Sequence, residues 1–270
     1  MMNVTPVVKQ LLIINIIFFV GSQLVPVSYE FLSLFYPESE RFAFWQLFSH
    51  MFMHAPWPNF AHILFNMFAL YSFGSALEHF WGGKKFLFFY ISCGLGAALL
   101  HTGVNYLQLQ SVLDSVSGLN LSKEDLHLIL NADFSSLFDA SGRMKDGEIA
   151  IILNNAHCTQ EQFNSLMQAG QIVQSRVIGA SGAIYGLLTA FAFMFPNAEL
   201  ALMFIPVPIK AKYFVPGILF VDLFLGFKGS SLFGSGGTGI AHFAHIGGAI
   251  AGFLMMLYWK KNQFNNNRWN

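Results

Sequence analysis

Apolar residues fall into six long runs along the chain, separated by shorter polar stretches. A helix needs about 20 apolar residues to cross the hydrocarbon core of a bilayer, so each run predicts a membrane-spanning helix. The fourth and fifth runs are short and contain Gly or Pro, which favours helices that tilt little or end in space lined by protein. The runs cover approximately residues 8–27, 59–80, 85–105, 178–195, 213–228 and 241–259.

A long polar stretch separates the third run from the fourth. Residues 106–176 are rich in acidic side chains, and we expect them to form an extramembrane insert. Ser122 and Asp125 have the spacing of a capping box before Leu126–Leu130, which predicts a short amphipathic helix. We interpret the insert as a solvated subdomain that decorates the fold, and the alternative is a role in substrate docking or gating.

The composition favours lipid as the main solvent. The chain is 54% hydrophobic and only 10% charged, whereas soluble domains carry about 25% charged residues. We therefore predict an all-α polytopic membrane protein with a bundle of six transmembrane helices. The predicted divisions are 1–105 for the first three spans, 106–176 for the insert, 177–260 for the last three spans and 261–270 for a polar C-terminal tail.

Charge and cysteine content narrow the classes of partner. Lys+Arg and Asp+Glu number 14 each, so no bulk charge favours nucleic acid. Cys93 and Cys158 are too few for a disulfide framework or a cysteine-based metal site. The first apolar run resembles a signal peptide, but no convincing small-x-small cleavage site follows it, so we interpret it as an uncleaved span.

Lysine and arginine in the short flanks predict the orientation, because these residues are enriched on the cytoplasmic side. With the N-terminus inside, positive charges concentrate on the inner flanks, so both termini are predicted to face the cytoplasm. The inner flanks carry Lys9, Lys84, Lys85, Lys210, Lys212, Lys260, Lys261 and Arg268, and the short outer flanks carry Arg41, Arg176 and Lys228.

Four unusual polar residues share one predicted depth. His62 and Asn66 lie in the first turns of the second span, Ser181 in the fourth, and His245 in the sixth. These three spans all begin at the predicted outer face. With a rise of 1.5 Å per residue, the four side chains should lie about 5–10 Å below that face. Polar groups inside a membrane bundle mark functional sites.

The residue types in this layer suit acyl transfer. A serine hydroxyl is a weak nucleophile until a base removes its proton, and histidine is the usual base near neutral pH. Ser181 would attack a carbonyl carbon while His245 accepts and later returns the proton. No acidic residue lies near His245 in the sequence, which favours a dyad. Tyr185, one turn below Ser181, is predicted to pack against the imidazole.

His62 and Asn66 are spaced i, i+4 and therefore point one way. We expect them to stabilise the oxyanion together with the backbone N–H of Ser181. Small-residue faces let helices approach closely, which would bring the fourth and sixth spans within reach of each other. These faces consist of Gly182 and Gly186 on the fourth span and of Gly248 and Gly252 on the sixth.

At these residues the chain resembles the rhomboid family of intramembrane serine proteases. The resemblance implies a six-helix rhomboid fold that cleaves transmembrane-anchored proteins near the outer face, without a metal or an organic cofactor. The matches are Gly179–Gly182 to Gly-x-Ser-Gly, His62 and Asn66 to His-x-x-x-Asn, His245, Gly248 and Gly252 to the last-helix motif, Gly74 and Glu78 to Gly-x-x-x-Glu, and Trp45 to a tryptophan in the first outer loop.

The chain also departs from the family pattern. Gln46 stands where Arg often follows the loop tryptophan, which puts a loop-fixing interaction in question. Trp57 stands where another histidine is common, and His54 is the replacement we consider. The insert between the third and fourth spans is long. The resemblance further implies that a substrate helix enters laterally past the fifth span and loop 229–240, with a small residue before the scissile bond.

Other interpretations remain open. A rhomboid-like protein that only binds or escorts transmembrane helices is the main alternative, and a small transporter is a second. His50 with His54, and His242 with His245, have spacings found in metal sites, but neither pair encloses a glutamate. We interpret His50 and His54 as hydrogen-bonding loop residues and His242 as interfacial. Asp222 is predicted to be a hydrogen-bonded structural or gating residue.

Partners and location follow from this interpretation. We expect the protein to contact transmembrane-helix substrates and the lipid bilayer, but no nucleic acid and no metal; its oligomeric state stays open. Gly234–Gly239 match Gly-x-Gly-x-x-Gly, but they join two predicted spans, so we interpret them as a flexible outer loop. The lack of a long Arg-rich presequence favours a bacterial inner membrane.

Overall fold

A computed structural model describes residues 3–202, 205–228 and 241–263. The described chain is mostly helical, but two short antiparallel sheets correct the all-α prediction. The helices are α1 (Pro6–Leu24), α2 (Ser28–Leu32), α3 (Gln46–Ser49), α4 (Ala61–Ala69), α5 (Ser75–Trp81), α6 (Gly83–Asp114), α7 (Lys123–Asn131), α8 (Glu148–Asn155), α9 (Gln160–Gln174), α10 (Ser181–Met194), α11 (Ala211–Lys228) and α12 (His242–Gln263). The strands are β1 (Leu34–Phe35), β2 (Arg176–Val177), β3 (Glu199–Leu202) and β4 (Ile205–Lys210), and β1 pairs with β2 and β3 with β4.

Long apolar helices support an integral membrane protein. Within the described residues, α1, α6 and α12 are long and apolar enough to cross a bilayer, and α10 is a shorter apolar helix. The second predicted span is broken by a π-helix at Leu70–Gly74, which joins α4 to α5. Six crossings, and the inward orientation of both termini, remain predictions.

The helix that contains the third apolar run is longer than that run predicts. α6 continues past residue 105 to Asp114. Its last residues, 106–114, contain neither Gly nor Pro and include several good helix formers, so polarity alone does not end the helix. The boundary at 105 marks a change of hydropathy and not the end of an element.

The chain divides into two compact units. The bundle unit comprises Met1–Ser33, Leu47–His101 and Ile178–Asn270, and the insert unit comprises Leu34–Gln46 and Thr102–Val177. The sequence did not predict that segment 34–46 joins the insert. The reason is the pairing of β1 with β2, in which Leu34 is opposite Val177.

Glycines bring α10 and α12 together in the bundle unit. A Cβ atom at Gly248 would overlap the carbonyl oxygen of Gly182, and one at Gly252 would lie 2.8 Å from the carbonyl oxygen of Gly186. A Cβ at Gly182 would overlap the side chain of Ala97 on α6. The two helices therefore touch through their backbones, which is the contact that small-residue faces permit.

The start of α1 is held by an acidic residue from α5. The carboxylate of Glu78 accepts hydrogen bonds from the backbone N–H groups of Val7 (3.0 Å) and Val8 (2.8 Å), and from the hydroxyl of Thr5. The first N–H groups of a helix have no partner within the helix. Glu78 supplies acceptors for two of these groups in α1. Gly74 leaves room for Val8, since a Cβ there would lie 3.0 Å from its side chain.

The insert unit has an apolar core of its own. Ile129, Leu153 and Leu166 form part of its buried core. The predicted capping box is confirmed, because Ser122 and Asp125 exchange hydrogen bonds at the start of α7. A second capping box, of Thr159 and Gln162 at the start of α9, was visible in the sequence and was missed.

Gln46 fixes its own segment of the insert unit. The side chain is fully buried; its amide N–H donates to the carbonyl of Arg41 (2.8 Å), and its amide oxygen accepts from the N–H of Phe35 (3.3 Å). The expectation that a loop-fixing interaction is in question at Gln46 was therefore wrong. A neutral amide ties the segment together through the backbone.

Candidate active site

Ser181 and His245 lie within hydrogen-bonding distance. Ser181 is the first residue of α10, and His245 lies in the first turn of α12. The Ser181 Oγ atom is 2.9 Å from His245 Nε2, and the close backbone contact of the two helices makes this approach possible. Two residues separated by 64 positions in sequence thus meet, while their depth in the membrane stays a prediction.

The other nitrogen of His245 bonds to an acidic residue. Asp222 lies on α11, and its Oδ1 atom is 3.0 Å from His245 Nδ1. A carboxylate oxygen accepts, so Nδ1 carries the proton and Nε2 keeps a lone pair for the Ser181 hydroxyl. The expectation that no acidic residue orients His245 was therefore wrong. Asp222 is distant from His245 in sequence, so proximity along the chain did not connect the two residues. An acidic residue within an apolar run was nevertheless a signal of a special role.

His242 shares the same carboxylate oxygen. Its Nδ1 atom lies 2.6 Å from Asp222 Oδ1, and its side chain is buried. His242 thus has a partner that the sequence did not predict, while its interfacial depth stays a prediction. Asp222 is hydrogen-bonded, as predicted.

Tyr185 packs on the face of the His245 ring. The two ring centroids are 4.2 Å apart and the planes differ by 11°. Tyr185 lies one turn after Ser181 on α10, so the same helix supplies the hydroxyl and a flat surface for the imidazole. This contact limits the rotation of the ring about its own axis.

His62 is oriented by the backbone. The N–H of Ala55 donates to His62 Nδ1 at 3.0 Å, so the neutral ring carries its proton on Nε2. That nitrogen faces Gly179, where an added Cβ would lie 3.0 Å from His62 Nε2 and 3.5 Å from Ser181 Oγ. A potential donor and the serine hydroxyl therefore border the same small space.

Gly179 occupies a backbone conformation that favours glycine. Its φ angle is +123°, a region that L side chains rarely adopt. Its N–H donates to the carbonyl of His50 at 2.9 Å. The lack of a side chain thus serves both the backbone geometry and the space between His62 and Ser181.

Asn66 lies one turn after His62 on α4. Its amide nitrogen donates to the carbonyl oxygen of His62 at 2.8 Å, and the side chain is buried. This bond uses one of the two amide protons. The structure thus places Asn66 beside His62, while the role of the second proton stays a prediction.

Most of the chain also matches a known protein family. A family model described as the Rhomboid domain matches residues 41–113 and 126–262. The chain belongs to the rhomboid family. This rhomboid protein is also similar to an uncharacterized mitochondrial rhomboid protein of Schizosaccharomyces pombe, at 25% identity over 226 residues. The match covers 80% of this chain and 52% of the relative, so the chain spans about half the length of the curated relative that it matches.

In this rhomboid protein, three residues of types that can bind a metal lie close together at the site. Asp222, His242 and His245 offer ligand atoms that all lie within 4.8 Å of one another. Ligands around a tetrahedral zinc ion, at about 2.0–2.1 Å from the metal, are about 3.3 Å apart. The separations of 2.6 Å and 3.0 Å from Asp222 are instead those of N–H···O hydrogen bonds. We therefore treat the three residues as a hydrogen-bonded group, and the absence of a metal stays a prediction.

Two further sequence predictions concern the surroundings of the site. His54 is buried, its Nδ1 lies 3.2 Å from the carbonyl oxygen of Phe52, and its ring centroid is 5.3 Å from that of His62. Trp57 is largely exposed, so His54 is the one of the two that contacts the site. The outer loop 229–240, including Gly234–Gly239, lies outside the described residues.

Proposed function

We propose that this rhomboid protein is an intramembrane serine endopeptidase that cleaves transmembrane-anchored proteins near the outer membrane face. The observation that carries the proposal is the 2.9 Å contact between Ser181 Oγ and His245 Nε2. A buried histidine beside a serine hydroxyl is the arrangement that makes the hydroxyl nucleophilic. The family and the apolar helices support a reaction inside the membrane.

The proposed reaction has two halves. His245 Nε2 takes the proton of Ser181 while Oγ attacks the substrate carbonyl carbon, and the resulting tetrahedral intermediate expels the amine, which receives that proton. Water from the outer side then attacks the acyl-enzyme, with His245 again as base. The carboxylic acid leaves and Ser181 regains its proton. No metal or organic cofactor is needed for these steps.

The oxyanion would form beside His62. We assign three donors to it: the Nε2–H of His62, the remaining amide proton of Asn66, and the backbone N–H of Ser181. Ser181 opens α10, and N–H groups in the first turn of a helix have no partner within it. Donors that are fixed before the reaction stabilise a developing charge without reorganisation, and one such donor typically contributes about 10²–10³ in rate.

Lateral entry of the substrate helix past α11 is supported by a cavity. A space of about 470 Å³ lies among α10, α11 and α12, with Leu219, Leu223 and Ile246 among its apolar lining residues. α11 is thus incompletely packed against its neighbours. We also propose a preference for a small residue before the scissile bond, which rests on the family.

The membrane that houses the protein is part of the proposal. The printed name of the yeast relative assigns that protein to mitochondria, whereas we propose a bacterial inner membrane for this chain. Transmembrane-helix proteins and the bilayer are the proposed partners, and nucleic acid is not among them.

The proposal is tested by labelling the detergent-solubilised protein with a fluorophosphonate probe. We expect the wild type to be labelled and Ser181→Ala to remain unlabelled at an unchanged melting temperature. Cleavage of a transmembrane substrate in vesicles should be lost in the same variant. A folded wild type that neither labels nor cleaves would contradict the proposal and favour a protein that only binds transmembrane helices.

A further inference from the structure

We infer that Asp222 is a positioning residue that orients and electrostatically supports His245, and that His242 holds Asp222 in place for this task. The inference rests on the proposed serine-protease function and extends it from two residues to a connected group of four. It assigns a role in the reaction to α11, a helix that carries none of the residues matched to the family motifs.

The burial of Asp222 requires compensation. Its side chain is about 8% exposed, and it lies in an apolar helix of an integral membrane protein. An ionised carboxylate in such surroundings is costly unless it is paired and hydrogen-bonded. Asp222 has its partners in His242 and His245, and the hydroxyl of Tyr185 also interacts with it. An apolar side chain at this position would avoid the free-energy cost of burying a carboxylate. The carboxylate is therefore expected here because it has a role.

The hydrogen bond to Nδ1 determines which nitrogen of His245 acts as the base. Because Asp222 Oδ1 can only accept, the proton of the neutral imidazole stays on Nδ1 and the lone pair of Nε2 faces Ser181 Oγ. When Nε2 takes the serine proton, the negative carboxylate at 3.0 Å stabilises the imidazolium. Asp222 itself remains ionised throughout.

His242 supports this arrangement through Asp222. It precedes His245 by three residues on α12, so both rings project from one face of the helix, and both donate to the same oxygen atom. Two donors from one helix fix the rotamer of the carboxylate more firmly than one. His242 therefore acts on His245 indirectly, by holding Asp222 in place.

The surroundings of His245 contain no competing acidic group among the described contacts. Asp222 faces it from α11, Tyr185 and Ser181 from α10, and His62 from α4. His242 is the neighbour on its own helix. Asp222 is thus the one carboxylate, within these described contacts, that can compensate the charge formed on His245 during the reaction.

The first test is Asp222→Asn, which keeps the shape and removes the charge. We expect kcat for a transmembrane substrate in vesicles to fall by about 10²–10⁴-fold, with KM within about twofold and an unchanged melting temperature. An unchanged kcat would overturn the inference. A drop that only accompanies a lower melting temperature would also overturn it, since Asp222 would then be structural.

His242 offers a rescue experiment. His242→Ala removes the second donor and should lower kcat several-fold, whereas His242→Asn places an amide N–H near the position of Nδ1 and should restore most of it. Equal activities of the two variants would contradict a role for His242 through its hydrogen bond.

A spectroscopic readout separates this inference from the proposed function. In protein labelled with ¹⁵N-histidine, we expect His245 to be protonated at Nδ1, with a downfield proton resonance that moves upfield in Asp222→Asn. This signal requires no substrate, so it is readable even if the fluorophosphonate probe fails to label the wild type. Protonation of His245 at Nε2 in the wild type would overturn the inference while leaving Ser181 labelling to decide the function.

Discussion

Two buried carboxylates of the bundle unit and two exposed polar side chains of the insert unit are bonded in opposite ways. In the bundle unit, Glu78 and Asp222 are buried and bond to residues about 70 and about 20 positions away in sequence. In the insert unit, Ser122 and Asp139 are exposed and bond within four residues. A polar group is costly to bury without partners, and each of these two buried carboxylates has several donors around it.

Asp139 shows the local type of bond in the insert unit. The hydroxyl and N–H of Ser141 and the N–H of Arg143 donate to its carboxylate, and they hold the pKa of that carboxyl below its ordinary value. The bonds close a turn around one exposed side chain. Water can replace them, so substitutions at such exposed positions should be tolerated better than substitutions at the buried carboxylates of the bundle unit.

The largest contrast should come from glycine. Gly248→Ala would place a Cβ against the Gly182 carbonyl and force α10 away from α12, so Ser181 and His245 would separate. We expect cleavage to fall to background and the melting temperature to drop by several degrees. Gly21→Ala is the matched control, since nothing lies within 4 Å of an added Cβ there. Equal activity of both variants would contradict the backbone contact as a requirement.

A smaller effect is expected at the oxyanion donors. Asn66→Ala should lower kcat by about 10²–10³-fold and leave activity measurable, because one of three proposed donors is lost. Asn66→Asp, which keeps the shape, should be impaired as well, since a carboxylate would repel the oxyanion. An unchanged rate in Asn66→Ala would remove Asn66 from the oxyanion site.

Gly179 should give an intermediate loss. Gly179→Ala strains the backbone at φ +123° and crowds His62 Nε2. A strain of about 1–3 kcal/mol, together with displaced donors, is expected to lower kcat about 10–100-fold. The measurement is single-turnover cleavage in vesicles. Full activity with an unchanged melting temperature would show that the segment adapts without strain.

The smallest effect on activity is expected in the insert unit. Ser122→Ala removes the cap of α7 and should cost about 1 kcal/mol of stability, while kcat stays within twofold of the wild type. Thr159→Ala, at the second capping box, should behave alike. Thermal unfolding and vesicle cleavage measure the two quantities. A marked loss of cleavage would break the contrast and assign the insert a role in catalysis.

The sequence predicted what periodicity and spacing determine. Most residues of the apolar runs lie on helices of the bundle unit. Ser181, His245 and His62 lie near the starts of α10, α12 and α4 and meet at one site, where Tyr185 packs on His245. Spacing cannot reveal partners across helices, so Asp222 was not connected to His245, and segment 34–46 was not connected to the insert. The side-chain amide of Gln46 bonds to two backbone groups of its own segment. No pattern of residue types in the sequence indicates these bonds.

The bond of Glu78 to the start of α1 has a consequence for biogenesis. Glu78, which accepts these hydrogen bonds, is synthesised about 70 residues after Val7 and Val8, which donate them. During translation, α1 therefore enters the membrane before its terminal groups have their partner, and Glu78 later arrives with a carboxylate that needs donors. Pairing of the first two hydrophobic segments satisfies both at once, so assembly of the protein should proceed through this pair before the later helices are added.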